Sequence, residues 1–178
     1  SPRIDRLKNK GAKKIVVLGK SLGANMVIRA GVVIDGIDAI IAMAPGHRPE
    51  KPFIMKKHSA DVEHARDKVK DGKGDVFFDY TDNNQGKEKS LEVSAANFLS
   101  WFDPNGKAVM GKNAPKIKND VPFLWIAGSS DRISDGTGKG IYGAVPNNTL
   151  SKFILVDGGH GDVRENGKEK ILEWLKGL

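Results

Sequence analysis

The sequence predicts an α/β fold in which a mostly parallel sheet of about four core strands is flanked by helices. Three observations predict it: four short apolar runs, helix-like segments between them, and a loop of small residues where each run ends. Strands that alternate with helices pair in parallel, because each crossover returns the chain to the same end of the sheet. We therefore expect one domain over residues 1–178, with a cap segment over residues 47–93 inserted in it.

The first elements alternate helix and strand. An amphipathic helix is predicted near the start, with Pro2 in its first turn and Gly11 as its C-terminal stop. Residues 13–19, KKIVVLG, form a β-branched run typical of a buried parallel strand. Residues 22–31 have the composition of a helix, and residues 37–46, IDAIIAMAPG, predict a second buried strand.

The pattern loosens after the second strand. Residues 54–74 predict a charged helix, and residues 75–95 predict a hairpin around the turn signal from Asn83 to Gly86. Residues 95–106 return to a helix. We expect this section to be a helix-plus-hairpin cap inserted over the sheet.

Two more strands and a helix complete the chain. Residues 121–131, VPFLWIAGSSD, and residues 151–161, SKFILVDGGHG, each predict an apolar strand that leads directly into a small-residue loop. The last segment predicts a helix with an apolar stripe made by Ile171, Leu172, Trp174 and Leu175.

Composition excludes several classes of function. The chain has no cysteine, which excludes disulfides, thiolate catalysis and zinc–thiolate sites. Its formal charge of +7 comes mostly from scattered lysines without a basic stripe, so we expect no nucleic-acid partner. No apolar run is long enough to span a bilayer, and the first residues are polar and basic. We expect a soluble chain, cytoplasmic or exported with its signal removed; the compartment is unknown.

Two catalytic signatures overlap in residues 16–26, VVLGKSLGANM. The Gly19–Lys20–Ser21 tripeptide resembles the end of a phosphate-binding loop, but that loop needs a glycine where Lys14 stands. The preceding residues are strand formers and not a flexible loop. The alternative is the G-x-S-x-G turn, in which a strand runs into a serine and a helix follows at once. Gly19 and Gly23 flank Ser21 as this turn requires, since a tight turn brings their backbones together.

The partners of an activated serine occur in the expected order. A serine on this turn needs an acid and then a histidine, each after a later strand. Asp131 follows the third apolar strand, and His160 follows the fourth. This register favours Ser21 as nucleophile, Asp131 as orienting acid and His160 as general base.

With these residues the chain resembles the C-terminal half of the α/β-hydrolase fold, in the dienelactone hydrolase and serine aminopeptidase-like branches. The resemblance is firm at residues 13–45 and 120–178. It implies a partial α/β-hydrolase fold whose strands are the fifth to eighth of the family, with the earlier strands before residue 1. Because the chain begins with Ser1 and not Met, we expect that upstream residues were removed. The resemblance also implies that one oxyanion donor and a wall of the acyl pocket are missing.

The predicted function is hydrolysis of a small ester, thioester or lactone through an acyl-serine intermediate, without cofactor or metal. The backbone N–H of Leu22, at a helix N-terminus, is the expected oxyanion donor. Contacts to the acyl substrate are predicted for Tyr80, Trp101 and Ile133. Two alternatives stay open: a non-catalytic binding module on a truncated hydrolase fold, and peptidase or acyltransferase chemistry on the same triad.

Each site residue also has a simpler interpretation. Ser21 could cap the following helix, Asp131 could be a turn residue as Asp135 could, and His160 could be an exposed loop histidine. Glu50 is an alternative acid, since an acid can follow the preceding strand.

Other polar residues and one sheet edge complete the expectations. His47, His58 and His64 fit no metal signature and are predicted at the surface, and residues 135–140, DGTGKG, are predicted as a flexible loop. The first strand would be a bare sheet edge, which predicts a homo-oligomer or pairing with a missing N-terminal segment.

Overall fold

The computed structural model describes residues 1–84, 87–134 and 136–178. Its internal contacts divide the chain into two compact units. We call residues 1–47 with 110–178 the sheet unit, and residues 48–109 the hairpin unit. The interpretation as one domain with a cap over residues 47–93 stays a prediction.

Helices and strands alternate through most of the chain. In chain order they are α1 (Pro2–Asn9), β1 (Val16–Lys20), α2 (Leu22–Val33), β2 (Ala39–Met43), α3 (Pro52–Lys70), β3 (Phe77–Asn84), β4 (Lys87–Ser94), α4 (Ala95–Phe102), α5 (Met110–Asn113), β5 (Phe123–Gly128), α6 (Gly136–Gly143), β6 (Lys152–Val156), α7 (Val163–Asn166) and α8 (Lys168–Lys176). Short 3₁₀ turns occupy Ala114–Lys116 and Arg132–Ser134.

The sheet unit contains a four-stranded parallel sheet in the order β1–β2–β5–β6. Every residue of the two central strands is buried. The predicted parallel sheet of about four strands is therefore confirmed, and the continuous apolar runs follow from burial on both faces. All four strands end at the same edge, which places the loops after them side by side.

Alternate residues of the central strands supply two hydrophobic layers. Ile40 and Trp125 face one layer together with Ile28 of α2. Ile41 and Leu124 face the other, whose remaining large members include Ile171 and Trp174 of α8. The predicted apolar stripe of the last helix thus covers one face of the sheet in part: Leu172 is exposed, while the indole N–H of Trp174 donates to the Leu150 carbonyl at 2.6 Å.

The glycine-rich segment after the third strand of the sheet is not a loop over residues 136–140. Helix α6 begins at Gly136, and Asp135 lies outside the described residues. A Cβ on Gly138 would lie 2.2 Å from the Ile133 carbonyl oxygen and 3.0 Å from the Trp125 ring. Glycine is therefore present because the helix packs closely on the core, and the buried Ile141 anchors it there.

The hairpin unit has its own aromatic core. Strands β3 and β4 pair antiparallel from Phe77 opposite Ser94 to Asn84 opposite Lys87. The predicted charged helix, hairpin and following helix are confirmed, while the Gln85–Gly86 part of the predicted turn lies outside the described residues. The Tyr80, Phe98 and Phe102 rings stack in succession, with centroid separations of 4.1 and 4.6 Å.

His58 lies in this aromatic core, so the prediction that it is a surface residue is wrong. Only 2% of it is exposed, and its ring centroid is 4.7 Å from that of Phe102. The helical spacing of His58, Val62 and Ala65 places all three on the buried face of α3. Burial lowers the pKa of His58, an effect that the nearby Asp61 and Asp82 carboxylates oppose. His64 of the same helix is exposed, and His47 is half-buried.

The two outer strands differ from the central pair. Strand β1 pairs only with β2 in the described sheet, and half of the Leu18 side chain at this edge is exposed, at 50%.

Among the residues that the structure describes, no helix is long and apolar enough to cross a bilayer.

Candidate active site

Ser21 stands on a strained turn between β1 and α2. Its backbone has φ 55° and ψ −118°, a conformation that non-glycine residues adopt at a cost of about 1–3 kcal/mol. The Ser21 N–H donates to the Met43 carbonyl at 2.9 Å, which fixes the turn on the end of β2. There is no loop of backbone amides before Ser21, because residues 16–20 form β1. The phosphate-loop interpretation therefore has no structural basis.

The two glycines around Ser21 have different roles. A Cβ on Gly19 would lie 2.0 Å from the Gly23 carbonyl oxygen, far inside van der Waals contact. A Cβ on Gly23 would meet no atom within 4 Å. The expectation that both positions need a small residue is right for Gly19 and wrong for Gly23, since only the Cβ direction of Gly19 points into the turn.

Asp131 lies three residues beyond the end of β5. Its N–H donates to the Gly128 carbonyl at 3.0 Å, and its Oδ1 accepts the Ile133 N–H at 3.3 Å. The turn interpretation of Asp131 is thus true of one carboxylate oxygen. The side chain is only 8% exposed. Because its other oxygen, Oδ2, has little access to water, it needs a hydrogen-bond partner within the protein.

His160 follows β6 in a loop that packs on the loop of Asp131. The Ser130 N–H donates to the Gly158 carbonyl at 3.0 Å, and the Ser129 N–H donates to the Val156 carbonyl at 2.7 Å. A Cβ on Gly128 would lie 2.4 Å from the Gly158 oxygen, so glycine is needed for this close approach. Backbone hydrogen bonds therefore fix the acid and histidine loops against each other.

The structure brings Ser21, His160 and Asp131 together. His160 Nε2 lies 3.0 Å from Ser21 Oγ, and His160 Nδ1 lies 2.7 Å from Asp131 Oδ2. Ser21 makes no side-chain cap on α2, so its hydroxyl is directed to the imidazole and not to the helix. The imidazole is 29% exposed, which leaves it accessible to a small molecule. The carboxylate that it reaches belongs to Asp131 and not to the alternative acid Glu50.

Leu22 is the first residue of α2, directly after Ser21. Its N–H is among the amides at the start of a 12-residue helix, where the helix dipole favours negative charge. Nearby, a Cβ on Gly46 would lie 3.2 Å from His160 Cε1. A Cβ at position 46 would therefore press on the imidazole ring by a few tenths of an ångström.

Two polar residues near these loops were not predicted from the sequence. Asn25 is 1% exposed in α2, and its Nδ2 donates to the His47 carbonyl at 2.7 Å. Its place one helical turn after Ser21 was the available signal. Lys20 Nζ donates to the Gly161 carbonyl at 3.3 Å, beside His160.

The predicted substrate contacts lie in three different settings. Ile133 is 1% exposed and packs in the layer that contains Trp125. Tyr80 is buried in the aromatic core of the hairpin unit, while Trp101 is half-buried at its margin. Their contacts with a substrate stay predictions. No group of three or more His, Asp or Glu side chains in the described ranges is placed to hold a metal ion.

No protein-family model matches the chain, and no curated protein sequence matches it. Several solved structures, however, are similar to the chain. A thermostable carboxyl esterase from Bacillus coagulans, in complex with glycerol, has a TM-score of 0.67 at 14% identity, over 99% of this chain and 68% of that one. A monoacylglycerol lipase from Paleococcus ferrophilus has a TM-score of 0.61 at 23% identity, over 98% and 72%.

A third similar structure is described as an α/β hydrolase. An α/β-hydrolase enzyme from the metagenome of lagoon sediments of Mar Chica, Morocco, has a TM-score of 0.54 at 16% identity, over 97% of this chain and 65% of that one. The chain thus spans about two thirds of these structures, and the dienelactone hydrolase branch stays a prediction. The parallel sheet, its strand order and these likenesses lead to one conclusion: the chain has a partial α/β-hydrolase fold.

Proposed function

We propose that the chain is a serine hydrolase that cleaves a small carboxylic ester, thioester or lactone through an acyl-serine intermediate. One observation carries the proposal: the continuous hydrogen-bonded path from Ser21 Oγ through His160 to Asp131, with distances of 3.0 and 2.7 Å. A hydroxyl is a poor nucleophile until a neutral imidazole accepts its proton. Ser21 is the nucleophile, His160 the general base and Asp131 the group that orients it.

In the acylation step, Ser21 Oγ attacks the carbonyl carbon while its proton passes to His160 Nε2. Asp131 Oδ2 accepts the hydrogen bond from Nδ1–H, which holds the tautomer with Nε2 free and stabilises the imidazolium. The tetrahedral intermediate then collapses. The alkoxide or thiolate leaves with the proton from Nε2, and the acyl group stays on Ser21.

Deacylation uses the same groups with water as the nucleophile. His160 Nε2 accepts a proton from water, and the hydroxide oxygen attacks the acyl carbon. When this second intermediate collapses, Ser21 Oγ regains the proton from Nε2 and the carboxylic acid departs. The exposed part of the imidazole provides the path by which water arrives.

Negative charge develops on the carbonyl oxygen in both steps. The Leu22 N–H at the start of α2 is the proposed donor to this oxyanion, since it directly follows the nucleophile. In enzymes of this kind, one such donor contributes about 10²–10³-fold in rate. If the Leu22 N–H is the sole oxyanion donor, kcat should be about 10²–10³-fold lower than for a serine esterase that has two such donors.

An active-site probe tests the proposal directly. A fluorophosphonate reacts only with an activated serine, so we expect labelling of Ser21 in the folded protein. Trypsin cleavage after Lys20 and Arg29 releases peptide 21–29, in which Ser21 is the only hydroxyl residue. Mass spectrometry of that peptide therefore assigns the label without ambiguity.

Two variants serve as controls for this labelling. Ser21→Ala removes the nucleophile and abolishes the label, while Ser59→Ala removes an exposed serine of α3 and leaves the label unchanged. An inert Ser21 in folded protein would contradict the proposal and favour a non-catalytic binding module.

The acyl class is tested by comparing substrates. A chain-length series of p-nitrophenyl esters should be hydrolysed, with the highest kcat/KM for a short acyl group. Aminoacyl amides tested in parallel should react at least 10²-fold more slowly, because an amine is a poorer leaving group. Faster cleavage of the amides would replace the esterase assignment with a peptidase one.

A further inference from the structure

We propose that Asp162 is a positioning residue that holds the loop of His160 in the geometry needed for proton transfer. The inference rests on the proposed function, because it names a group that acts through the general base. Asp162 Oδ2 accepts the Gly159 N–H at 2.8 Å, so the carboxylate reaches back across His160.

The His160 loop closes on itself through this one side chain. The Asp162 N–H donates to the Gly159 carbonyl at 3.2 Å, while the Gly159 N–H donates to the Asp162 carboxylate. His160 is thus enclosed in a short turn whose two ends are joined in both directions. Gly158 precedes the turn with φ 99°, a left-handed conformation that favours glycine.

The space beside Gly158 is filled by Asp162. A Cβ on Gly158 would lie 2.7 Å from both Cβ and Oδ2 of Asp162. The glycine and the carboxylate are therefore two parts of one packed arrangement. Removal of the carboxylate would leave the Gly159 N–H without its acceptor and a gap against Gly158.

The ordinary interpretation of Asp162 is a helix cap, since it stands immediately before α7. The structure contradicts this, because Asp162 makes no side-chain hydrogen bond to the first turn of α7. Its carboxylate is turned away from the helix and toward the turn that presents the imidazole. The role of the side chain is therefore in the loop and not in the helix.

The effect on chemistry follows from distance. His160 must keep 3.0 Å to Ser21 Oγ and 2.7 Å to Asp131 Oδ2 at the same time. A displacement of about 1 Å in a catalytic group costs about 10²-fold in rate. Since both hydrogen bonds start from one ring, a shifted turn weakens both.

A matched set of variants tests the proposal. Asp162→Ala removes the acceptor, whereas Asp162→Asn keeps a carbonyl oxygen for the Gly159 N–H. The control is Asn166→Ala, because Asn166 Nδ2 donates to the Asp157 carbonyl at the same 2.8 Å but at the outer end of the loop. If Asp162→Ala does not fold, Asp162→Glu supplies the comparison, since it moves the carboxylate outward by one methylene.

Two readouts are measured on each folded variant. The first is kcat and KM for p-nitrophenyl acetate: we expect Asp162→Ala to lower kcat about 10²-fold with KM little changed, and Asp162→Asn to stay within about 3-fold of the unsubstituted protein. The second is the downfield proton NMR signal of His160 Nδ1–H, identified by its loss in His160→Gln. This signal should persist in Asp162→Asn and Asn166→Ala and weaken or vanish in Asp162→Ala.

The outcomes separate this inference from the proposed function. An unsubstituted protein that is inert to ester and probe overturns the hydrolase proposal, while the NMR signal still tests the positioning role. Unchanged kcat and an unchanged His160 signal in Asp162→Ala overturn the positioning role. Failure of Asp162→Asn to restore both also overturns it, because that result would assign the effect to charge and not to the hydrogen bond.

Discussion

The sheet unit and the hairpin unit differ in charge, in connectivity and in the setting of their histidines. Lys and Arg balance Asp and Glu over residues 48–109, so the whole formal charge of +7 falls on the sheet unit. His160 of the sheet unit is partly exposed and paired with Asp131, whereas His58 of the hairpin unit is buried and packs against the Phe102 ring. In the sheet unit the candidate site residues stand on loops where parallel strands end, whereas His58 of the hairpin unit contributes to packing.

The two units also differ in how their strands find each other. The two strands of the hairpin are neighbours in sequence. Strands β2 and β5 pair directly, with Ile40 opposite Phe123, although all residues of the hairpin unit lie between them in the sequence. The site residues come from strands that are far apart in sequence. Substitutions in one unit should therefore change its properties and leave those of the other unit unaltered.

Substitution of Asp131 should reduce kcat more than any other change considered below. Asp131→Asn keeps the shape of the side chain but favours the wrong imidazole tautomer, so we expect kcat to fall by about 10⁴-fold. Thermal unfolding should change little, because the Ile133 N–H can still find an oxygen acceptor. Steady-state kinetics with a p-nitrophenyl ester, beside calorimetry, measures both. A loss below 10-fold would mean that Asp131 does not orient the base.

A pair of glycine variants tests the turn that presents Ser21. Gly19→Ala places a methyl group 2.0 Å from the Gly23 oxygen, so we expect the free energy of unfolding to fall by about 3 kcal/mol, with loss of probe labelling.

The matched control for the turn is Gly23→Ala. Its Cβ enters open space, and alanine favours a helix over glycine by up to about 1 kcal/mol, so stability should hold or rise. Chemical denaturation distinguishes the two variants. Equal destabilisation of both would show that the turn is not built as described.

The sequence predicted the sheet unit well for a physical reason. Buried parallel strands require continuous apolar runs, and the turn at Ser21 requires Gly19, so both leave local signals. Asp131 and His160 were predicted because they follow the third and fourth apolar runs, in the order that the G-x-S-x-G turn requires. The contacts that hold the loops, such as Asp162 to Gly159, left no such signal because they depend on backbone direction.

Where sequence interpretation was wrong, tertiary packing decided the outcome. The glycines of 136–140 suggested a loop, but Gly138 is what lets α6 approach Trp125. His58 has charged neighbours in sequence, yet its helical face is the buried one. Exposure of a histidine or a glycine depends on what packs against it, which a local pattern does not contain.

A smaller effect is expected from pH on the hairpin unit. Burial lowers the pKa of His58 below the unfolded value of about 6.5, so the unfolded state binds more protons as pH falls below that value. Stability from neutral His58 is full above about pH 6.5 and is lost on acidification, by no more than about 1.4 kcal/mol per pH unit.

Hydrogen exchange with mass spectrometry at pH 7.5 and 5.5 localises this acid effect. After correction for the intrinsic exchange rate, protection should fall in α3 and β3 and not in β2 or β5. His58→Gln should flatten the dependence, while His64→Gln, an exposed change in the same helix, should keep it. An equal loss of protection in both units would contradict the assignment.

The smallest effect is expected at the sheet edge. Half-exposed Leu18 on β1 predicts weak association between chains, so the average mass by light scattering should rise with concentration. Leu18→Lys should reduce this rise, while Leu172→Lys, a similarly exposed leucine on helix α8 and not on a strand edge, serves as the matched control. A clean monomer at high concentration would contradict the prediction.

Isolation of the acylated chain tests the acyl-serine mechanism directly. The protein is mixed with p-nitrophenyl butyrate, quenched in acid during the first turnover and digested with trypsin. Acyl-serine chemistry in the sheet unit predicts a burst of about one p-nitrophenolate per chain, with the butyryl group on peptide 21–29. A folded protein that shows no burst and carries no butyryl group on Ser21 would contradict it.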